Sequence, residues 1–363
     1  MKIEKTELAN KIGRIKSILP KNTPIEALKS VLVRDGYLIA SDMEITVTVK
    51  LEGISEGTEE SFLIPESMIG FINALPSGEV EISAKAENEG TIELEVKAGK
   101  VKNNILTLSV TNYPAIKSTE AAKELGKVEA EDLKAGITHT LFAVAENNAK
   151  SVMNALNMKC ANGELALSGL DGYMLATDKI PLEGEFDLNI PKRTCQQLLN
   201  LDIEGLVTIL TDGKTVIFET AFSKIESRLI EGDYYQIERM LSDLPITVSM
   251  KRKSFVEALS RTLLLIGSND SKAVSIDFSG EKAEVTLKNG RNAYVEDIGL
   301  NEDMADGEKI LFAVNPKMLL TALKAFDSEN VYLNLANEKS PMKILTDESD
   351  QKALVLPVRI SKA

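Results

Sequence analysis

Histidine occurs once in this chain, at His139, and cysteine twice, at Cys160 and Cys195. One histidine cannot build a His-rich metal site or a two-histidine relay, and a Ser-His-Asp triad would have to use it. It stands in GITHTLFAV, a helix-like stretch with no nucleophile signature beside it, so it reads as a structural or surface histidine. The cysteines have no CxxC spacing. Cys160 reads as a strand residue and Cys195 as the core face of a helix. Gly213-Lys214-Thr215 has the ending of a phosphate-binding loop, but that motif needs a glycine where Thr208 stands. VTILTDGKTVIFET instead alternates apolar residues on both sides of Asp212-Gly213, the pattern of a hairpin with a type I′ turn. GxGxxG, HExxH and GxSxG are absent from the sequence, and no pair of carboxylates is singled out. No catalytic residue, cofactor or metal is expected.

The elements around these residues repeat. FLIPESMIGFINALPSGEVEIS, DLNIPKRTCQQLLNLDIEGLVTIL and LFAVNPKMLLTALKAFDSENVYLNL each read strand, proline, short helix, turn, strand. Their prolines, Pro65, Pro191 and Pro316, suit the first helical position, where the missing N–H costs nothing. Apolar residues then follow at helical spacing: Met68, Ile69, Ile72 and Leu75; Cys195, Leu198 and Leu201; Leu319, Leu320, Leu323 and Phe326. An earlier helix precedes each, with stripes Leu8/Ile12/Ile15/Leu19, Leu133/Ile137/Leu141/Val144 and Phe255/Leu259/Leu263/Ile266. Hairpin turns fall between the helices at Asp35-Gly36, Asn162-Gly163 and Ser279-Gly280. The period is near one third of the 363 residues. The expected fold is α+β: three similar domains, at 1–120, 125–245 and 246–363, each with two helices on antiparallel sheets. KSTEAAKELGK, between the first two, reads as a polar linker.

Composition fits this: 44% hydrophobic, 27% charged, with room for sizeable cores. No apolar run reaches transmembrane length and the N-terminus lacks a signal core, so no membrane partner is expected. Two cysteines suit a reducing cytosol, and the expected location is cytoplasmic. The net charge of −13 excludes a uniformly basic nucleic-acid binder. The charges are nevertheless sorted. Residues 1–21 hold Lys2, Lys5, Lys11, Arg14, Lys16 and Lys21 against Glu4 and Glu7. Residues 251–262 hold Lys251, Arg252, Lys253 and Arg261 against Glu257, while acids crowd LEGISEGTEE, AENEGTIELE and NEDMADGE. Two readings follow: solvated helix faces, or a basic helical surface for a phosphate backbone. Aromatic residues are 5% with no Trp, which disfavours base stacking on single strands.

At SGLDGYMLATDK (168–179), LIEGDYYQIERML (229–241) and the terminal LVLPVRI (354–360), together with the triple repeat, the chain resembles the bacterial β sliding clamp family of DNA polymerase III. The resemblance covers essentially the whole chain. It implies the DNA clamp fold and a ring-shaped head-to-tail dimer in which twelve helices line a hole around double-stranded DNA. It implies no catalysis: the ring is a processivity factor that tethers the replicative DNA polymerase. The other implied partners are a clamp-loader ATPase and repair and replication proteins carrying clamp-binding motifs. The alternatives are a repeat-built protein-interaction scaffold that never encircles DNA and a carboxylate-based hydrolase. Basic helices favour the clamp over the scaffold, and the missing site signature argues against the hydrolase.

Three sets of residues follow. Sequence-independent DNA contact is expected from Arg14, Lys21, Lys150, Lys192, Arg193, Lys253, Arg261 and Lys324, through helix placement and the family's helix-lined hole. The family's partner-peptide pocket maps onto Met153, Leu170, Gly172, Tyr173, Met174, Leu175, Tyr235, Arg239, Met240, Ser340, Met342, Leu354, Leu356, Pro357, Val358 and Arg359. Tyr173, Met174, Tyr235 and Val358 depart from the family's common His, Arg, Pro and Met. The homodimer interface is expected at Leu264 and Leu265, opposite Ile105. Leu264 falls on the far side of the helical wheel from Phe255.

Overall fold

A computed structural model describes the chain except residues 89, 117–120, 202, 268–272, 291, 306 and 359–363. The first set of elements is β1 (Lys2–Glu4), α1 (Lys5–Ile15), β2 (Ser30–Arg34), β3 (Tyr37–Ser41), β4 (Ile45–Lys50), β5 (Phe62–Pro65), α2 (Glu66–Ala74), β6 (Glu79–Asn88), β7 (Thr91–Ala98) and β8 (Val101–Leu108). The second is β9 (Lys123–Glu129), α3 (Ala130–Thr140), β10 (Ala155–Ala161), β11 (Glu164–Leu170), β12 (Met174–Pro181), β13 (Phe186–Pro191), α4 (Lys192–Asn200), β14 (Leu206–Thr211), β15 (Thr215–Glu219) and β16 (Ser223–Arg228). The third is β17 (Ile246–Lys251), α5 (Arg252–Leu265), β18 (Val274–Ser279), β19 (Lys282–Lys288), β20 (Ala293–Gly299), β21 (Lys309–Val314), α6 (Pro316–Lys324), β22 (Asn330–Leu335), β23 (Met342–Leu345) and β24 (Lys352–Val355). The same order of strands and helices thus runs three times.

Packing divides this chain into two compact units, Met1–Glu131 with Gln196–Leu229, and Asp132–Cys195 with Ile230–Ala363. The middle set of elements is shared between them, so the units do not coincide with the three expected domains. The reason is strand pairing. In the first unit β4 pairs with β16 from Ile45↔Ser227 to Val49↔Ser223, giving the sheet β5-β2-β3-β4-β16-β15-β14-β9. In the second unit β12 pairs with β24 from Met174↔Val355 to Thr177↔Lys352, giving β13-β10-β11-β12-β24-β23-β22-β17. Each unit also carries a four-stranded sheet, β1-β6-β7-β8 in the first and β20-β19-β18-β21 in the second.

The apolar stripes seat the helices. Leu8, Ile12 and Ile15 of α1 and Met68, Ile69 and Ile72 of α2 are buried in the first unit. Phe255, Phe278, Phe312 and Phe326 lie in the core of the second. Each such side chain stabilises by roughly 1.5–3 kcal/mol relative to exposure. Cys160 and Cys195 are buried on a strand and a helix, as their contexts indicated.

Several local expectations change. Only Pro316 occupies the first turn of its helix, behind an Asn315 side chain that accepts from the Lys317 N–H at 3.0 Å. Pro65 and Pro191 end their strands one residue earlier, where the proline φ suits extended backbone equally well. Lys123–Lys127 is not linker but part of β9, an edge strand whose polar residues face solvent. The Asp35-Gly36 and Asn162-Gly163 turns have both central φ positive, as type I′ demands. At Asp212-Gly213 only Gly213 does; the Asp212 carboxylate shapes that loop by accepting from the Lys214 and Thr215 N–H groups. Leu263 on α5 and Ile266 just past its end are only partly buried, and Ala258 and Thr262 face the core instead.

His139, at the end of α3, is a structural residue. Its Nδ1 lies 2.7 Å from Asp178 Oδ2 on β12, and its Nε2 lies 3.5 Å from Asp327. The Asp178 carboxylate raises the imidazole pKa above its ordinary 6.5. A raised folded-state pKa makes the bond fully stabilising below that ordinary value and progressively less so as pH climbs through the folded-state value. His139→Gln should therefore cost about 1–2 kcal/mol in denaturant unfolding near pH 6, with the deficit shrinking on titration to about pH 9. A deficit independent of pH would mean that the imidazolium is not the stabilising species.

Candidate functional site

Strand register builds an apolar cleft in the second unit. β11 ends at Leu170, opposite Leu175 of β12, and β24 places Leu354 opposite Leu175 from the other side. Three leucines thus stand in a row across three strands. The turn between β11 and β12 is shaped by Asp171, whose Oδ1 accepts from the Tyr173 and Met174 N–H groups at 2.7 Å each. Ile237 completes the cluster, and Met153, Tyr234, Tyr235 and Leu241 pack around it half-buried. Tyr234 and Tyr235 meet edge to face, ring centres 6.0 Å apart, and the Tyr234 hydroxyl donates to the Ser168 carbonyl at 3.1 Å. Tyr173, Met240 and Leu356 are exposed at the rim. The Leu356 N–H donates to the Tyr173 carbonyl and the Val358 N–H to the Ala313 carbonyl, both at 2.9 Å, so the chain after β24 is tied down on either side of Pro357. An apolar floor with aromatic walls and a few backbone guides suits short peptide side chains.

Not every expected pocket residue takes part. Met342 is fully buried in the core, paired with Val355, and cannot meet a ligand. Met174 packs partly against that same core. Ser340 sits in a turn, its N–H donating to the Asn337 side chain at 3.1 Å. Gly172 and Arg239 are exposed, and Arg359 lies outside the described residues. Tyr234, Ile237 and Leu241 were missed, although their spacing in DYYQIERML marks one apolar side of a helical turn. The segment bearing them is held from below by Lys343. This lysine is buried, and its ammonium donates to the Leu241 carbonyl (3.3 Å), the Ser242 carbonyl (3.2 Å) and Asp243 Oδ1 (2.7 Å). The same ammonium holds the Asp243 carboxyl below its usual range.

The predicted DNA cations separate into two groups. Arg14 is half-buried on α1, Arg193 and Lys253 are exposed in the first turns of α4 and α5, and Lys324 is exposed at the end of α6. Lys21 lies in the loop after α1, not on the helix, because α1 ends at Ile15. Lys150 is also in a loop, its ammonium 5.8 Å above the Tyr235 ring, at the cleft. Lys192 is held by the Val144 carbonyl at 2.7 Å and by Glu146 at 3.1 Å. Arg261 forks onto both carboxylate oxygens of Glu296. The last two are held by acid partners.

Of the expected interface residues, Leu264 is 86% exposed. Leu265 packs partly against the core of its own unit. Ile105 pairs with buried Leu94 on the core-facing side of β8 and is half-buried. Its neighbour Leu106 points the other way and is 67% exposed, as the twofold period of a strand requires.

Residues 127–236 match the family model of the DNA polymerase III beta subunit central domain, and 243–359 match its C-terminal domain, together well over half of the chain. The chain belongs to the DNA polymerase III beta subunit family. The beta sliding clamp of Chlamydia pneumoniae is 25% identical over 374 residues, covering 99% of this chain and 98% of that protein. A putative DNA polymerase III beta subunit from Eubacterium rectale superposes with a TM-score of 0.88 at 24% identity, over 99% of both chains. A Pseudomonas aeruginosa sliding clamp bound to griselimycin superposes at 0.87, with 20% identity and 99% of both chains covered. Within this beta subunit fold the cleft walls come from β11, β12, β24 and the segment anchored by Lys343. Lys343→Met keeps the bulk and removes three hydrogen bonds. Amide exchange over residues 237–243 should accelerate about tenfold or more, with α5 protection unchanged. Unaltered exchange would show that the segment is held without Lys343.

Proposed function

We propose that two copies of this chain close head to tail into a ring around duplex DNA and hold the replicative polymerase on it. The chain is a DNA sliding clamp, the non-catalytic processivity subunit of its polymerase. The observation that carries the ring is a pairing left unfinished. β4, β12 and β20 hold equivalent places in the three element sets, as do β8, β16 and β24. Within the chain β4 pairs with β16 and β12 with β24, which leaves β20 and β8 as end strands of their four-stranded sheets. A second copy supplies both missing partners and covers edges that would otherwise invite indiscriminate pairing. Leu106 on β8, Val295 on β20 and Leu264 on α5 are exposed apolar side chains available to such a contact. This reading keeps Leu264 from the sequence expectation and replaces Ile105 by Leu106.

In this reading Arg14, Lys21, Arg193, Lys253 and Lys324 meet phosphates without sequence preference. Arg261 and Lys192 join only by exchanging their acid partners, and Lys150 belongs to the cleft. The cleft takes linear motifs of the polymerase, the clamp-loader ATPase and repair proteins. Leu175→Ala and Met240→Ala are the variants that probe it. A scaffold without DNA gives no reason for two in-chain pairings and one open one.

Leu106→Asp with Leu264→Asp should give folded monomers whose association is weakened at least a hundredfold, since two buried leucines contribute about 3 kcal/mol or more. Sedimentation equilibrium reads this directly. A double variant that stays dimeric places the interface elsewhere. Reversing Lys253 and Lys324 to Glu should reduce retention on circular DNA and lower the salt dependence of log K by about one per lost contact. An unchanged salt slope removes both residues from the DNA surface.

A further inference from the structure

The repeat places a second pocket in the first unit, at the position equivalent to the apolar cleft. The turn at Asp42 copies the turn at Asp171: its Oδ1 accepts from the Glu44 and Ile45 N–H groups at 3.0 and 2.8 Å. Register then equates Leu170, Leu175 and Leu354 with Ser41, Thr46 and Glu226, because Ser41 pairs with Thr46 and Thr46 with Glu226. Leu28 stands where Met153 does: the N–H of each closes a turn onto the carbonyl three residues back, Ile25 and Lys150 respectively. Tyr113, in the segment after β8, stands where Tyr234 does after β16. The geometry of the leucine row is thus kept, and its chemistry is inverted from apolar to polar.

These residues line a cavity of about 80 Å³, several times the ~10–15 Å³ that one water requires. Tyr113 is 93% buried there, and its hydroxyl makes no hydrogen bond among the described residues. The Ser41 backbone lies beside that oxygen, whereas the equivalent Tyr234 hydroxyl donates to the Ser168 carbonyl. Glu226 is equally buried, with Lys224 2.6 Å from its Oε1. Ser41 and Thr46 share a hydrogen bond of 2.8 Å between their hydroxyls. At the mouth stand Glu44 and Arg228.

Lys224 neutralises Glu226, and the lining also holds one further acid, Glu44, and one cation, Arg228. A carboxylate ligand would meet the two lining acids, and a guanidinium or ammonium would meet Arg228 and find Glu226 already neutralised by Lys224. A neutral group that accepts from the Tyr113 O–H and donates to the Glu226 carboxylate satisfies both walls, and a primary carboxamide does so within the volume. We propose that this cavity is a second recognition pocket of the chain, one that takes the side-chain carboxamide of an extended peptide. It is a separate site from the leucine cleft and stands or falls independently of it.

The test uses the full chain with methyl labels and N-acetyl-glutamine methylamide as probe. Saturable shifts are expected at Leu28, Met43 and Ile116, with Met153 in the cleft as the internal control. Tyr113→Phe removes one hydroxyl and should weaken the response about tenfold; circular dichroism and the melting curve check that it folds. Glu226→Gln should weaken it similarly. The N-acetyl-glutamate and N-acetyl-arginine analogues should bind at least about tenfold more weakly. Absence of shifts at tens of millimolar, an equal response from Tyr113→Phe, or equal binding of the charged analogues would each overturn the proposal and leave a cavity that holds water only. Shifts at Met153 alone would place the amide in the leucine cleft and overturn it likewise.

Discussion

Everything in this molecule follows from how β-strand edges are satisfied. A sheet of four strands has two bare edges, each a row of backbone donors and acceptors. The chain closes four such edges internally in two pairings, β4 with β16 and β12 with β24. Each closure fuses strands from consecutive element sets into an eight-stranded sheet. This is why the compact units cut through the middle set: the backbone ladders that join neighbouring sets are as continuous as those within a set.

The same closures make the apolar cleft. The leucine row exists because β24 lies beside β12, and Leu354, nearly two hundred residues along the chain from Leu170, becomes its neighbour but one. Specificity is then layered on by side chains outside the ladder. Asp171 fixes the turn, Tyr234 and Tyr235 form a wall, and buried Lys343 fastens the segment that carries Ile237 and Leu241. A buried ammonium with three acceptors holds its segment firmly, because losing any partner would leave charge uncompensated in a low-dielectric setting. Repetition allows divergence: the equivalent closure at β4 and β16 keeps the turn and the register and replaces three leucines with a serine, a threonine and a glutamate.

Electrostatics act more subtly than the net charge of −13 indicates. Cations that look alike in sequence have different fates once neighbours are in place. Lys253 and Lys324 are solvated, whereas Arg261 is forked onto Glu296 and Lys192 is pinned by Glu146 and a carbonyl. For sequence-independent attraction to a polyanion, solvated cations at helix ends contribute most, since they need give up no partner.

The sequence by itself determined the period, the two helices per repeat, the apolar stripes that seat them and the absence of catalytic signatures. These are local properties: a 3.6-residue or twofold rhythm of side chains is written along the chain and needs no distant partner to be read. Even there, details of one or two residues depended on context, as at Pro65 and Pro191, which end strands rather than open helices. Tertiary structure alone decided which strand edges meet, and therefore that Met342 is core while Ile237 and Leu241 belong to the cleft. It decided that Leu106, not Ile105, faces outward, because a strand's facing is fixed only once its neighbour's register is known. It also decided which cations are paired, because an ion pair such as Lys192 with Glu146 is set by distance in space. Pairing partners are chosen by the whole fold, and no pattern along one strand records them.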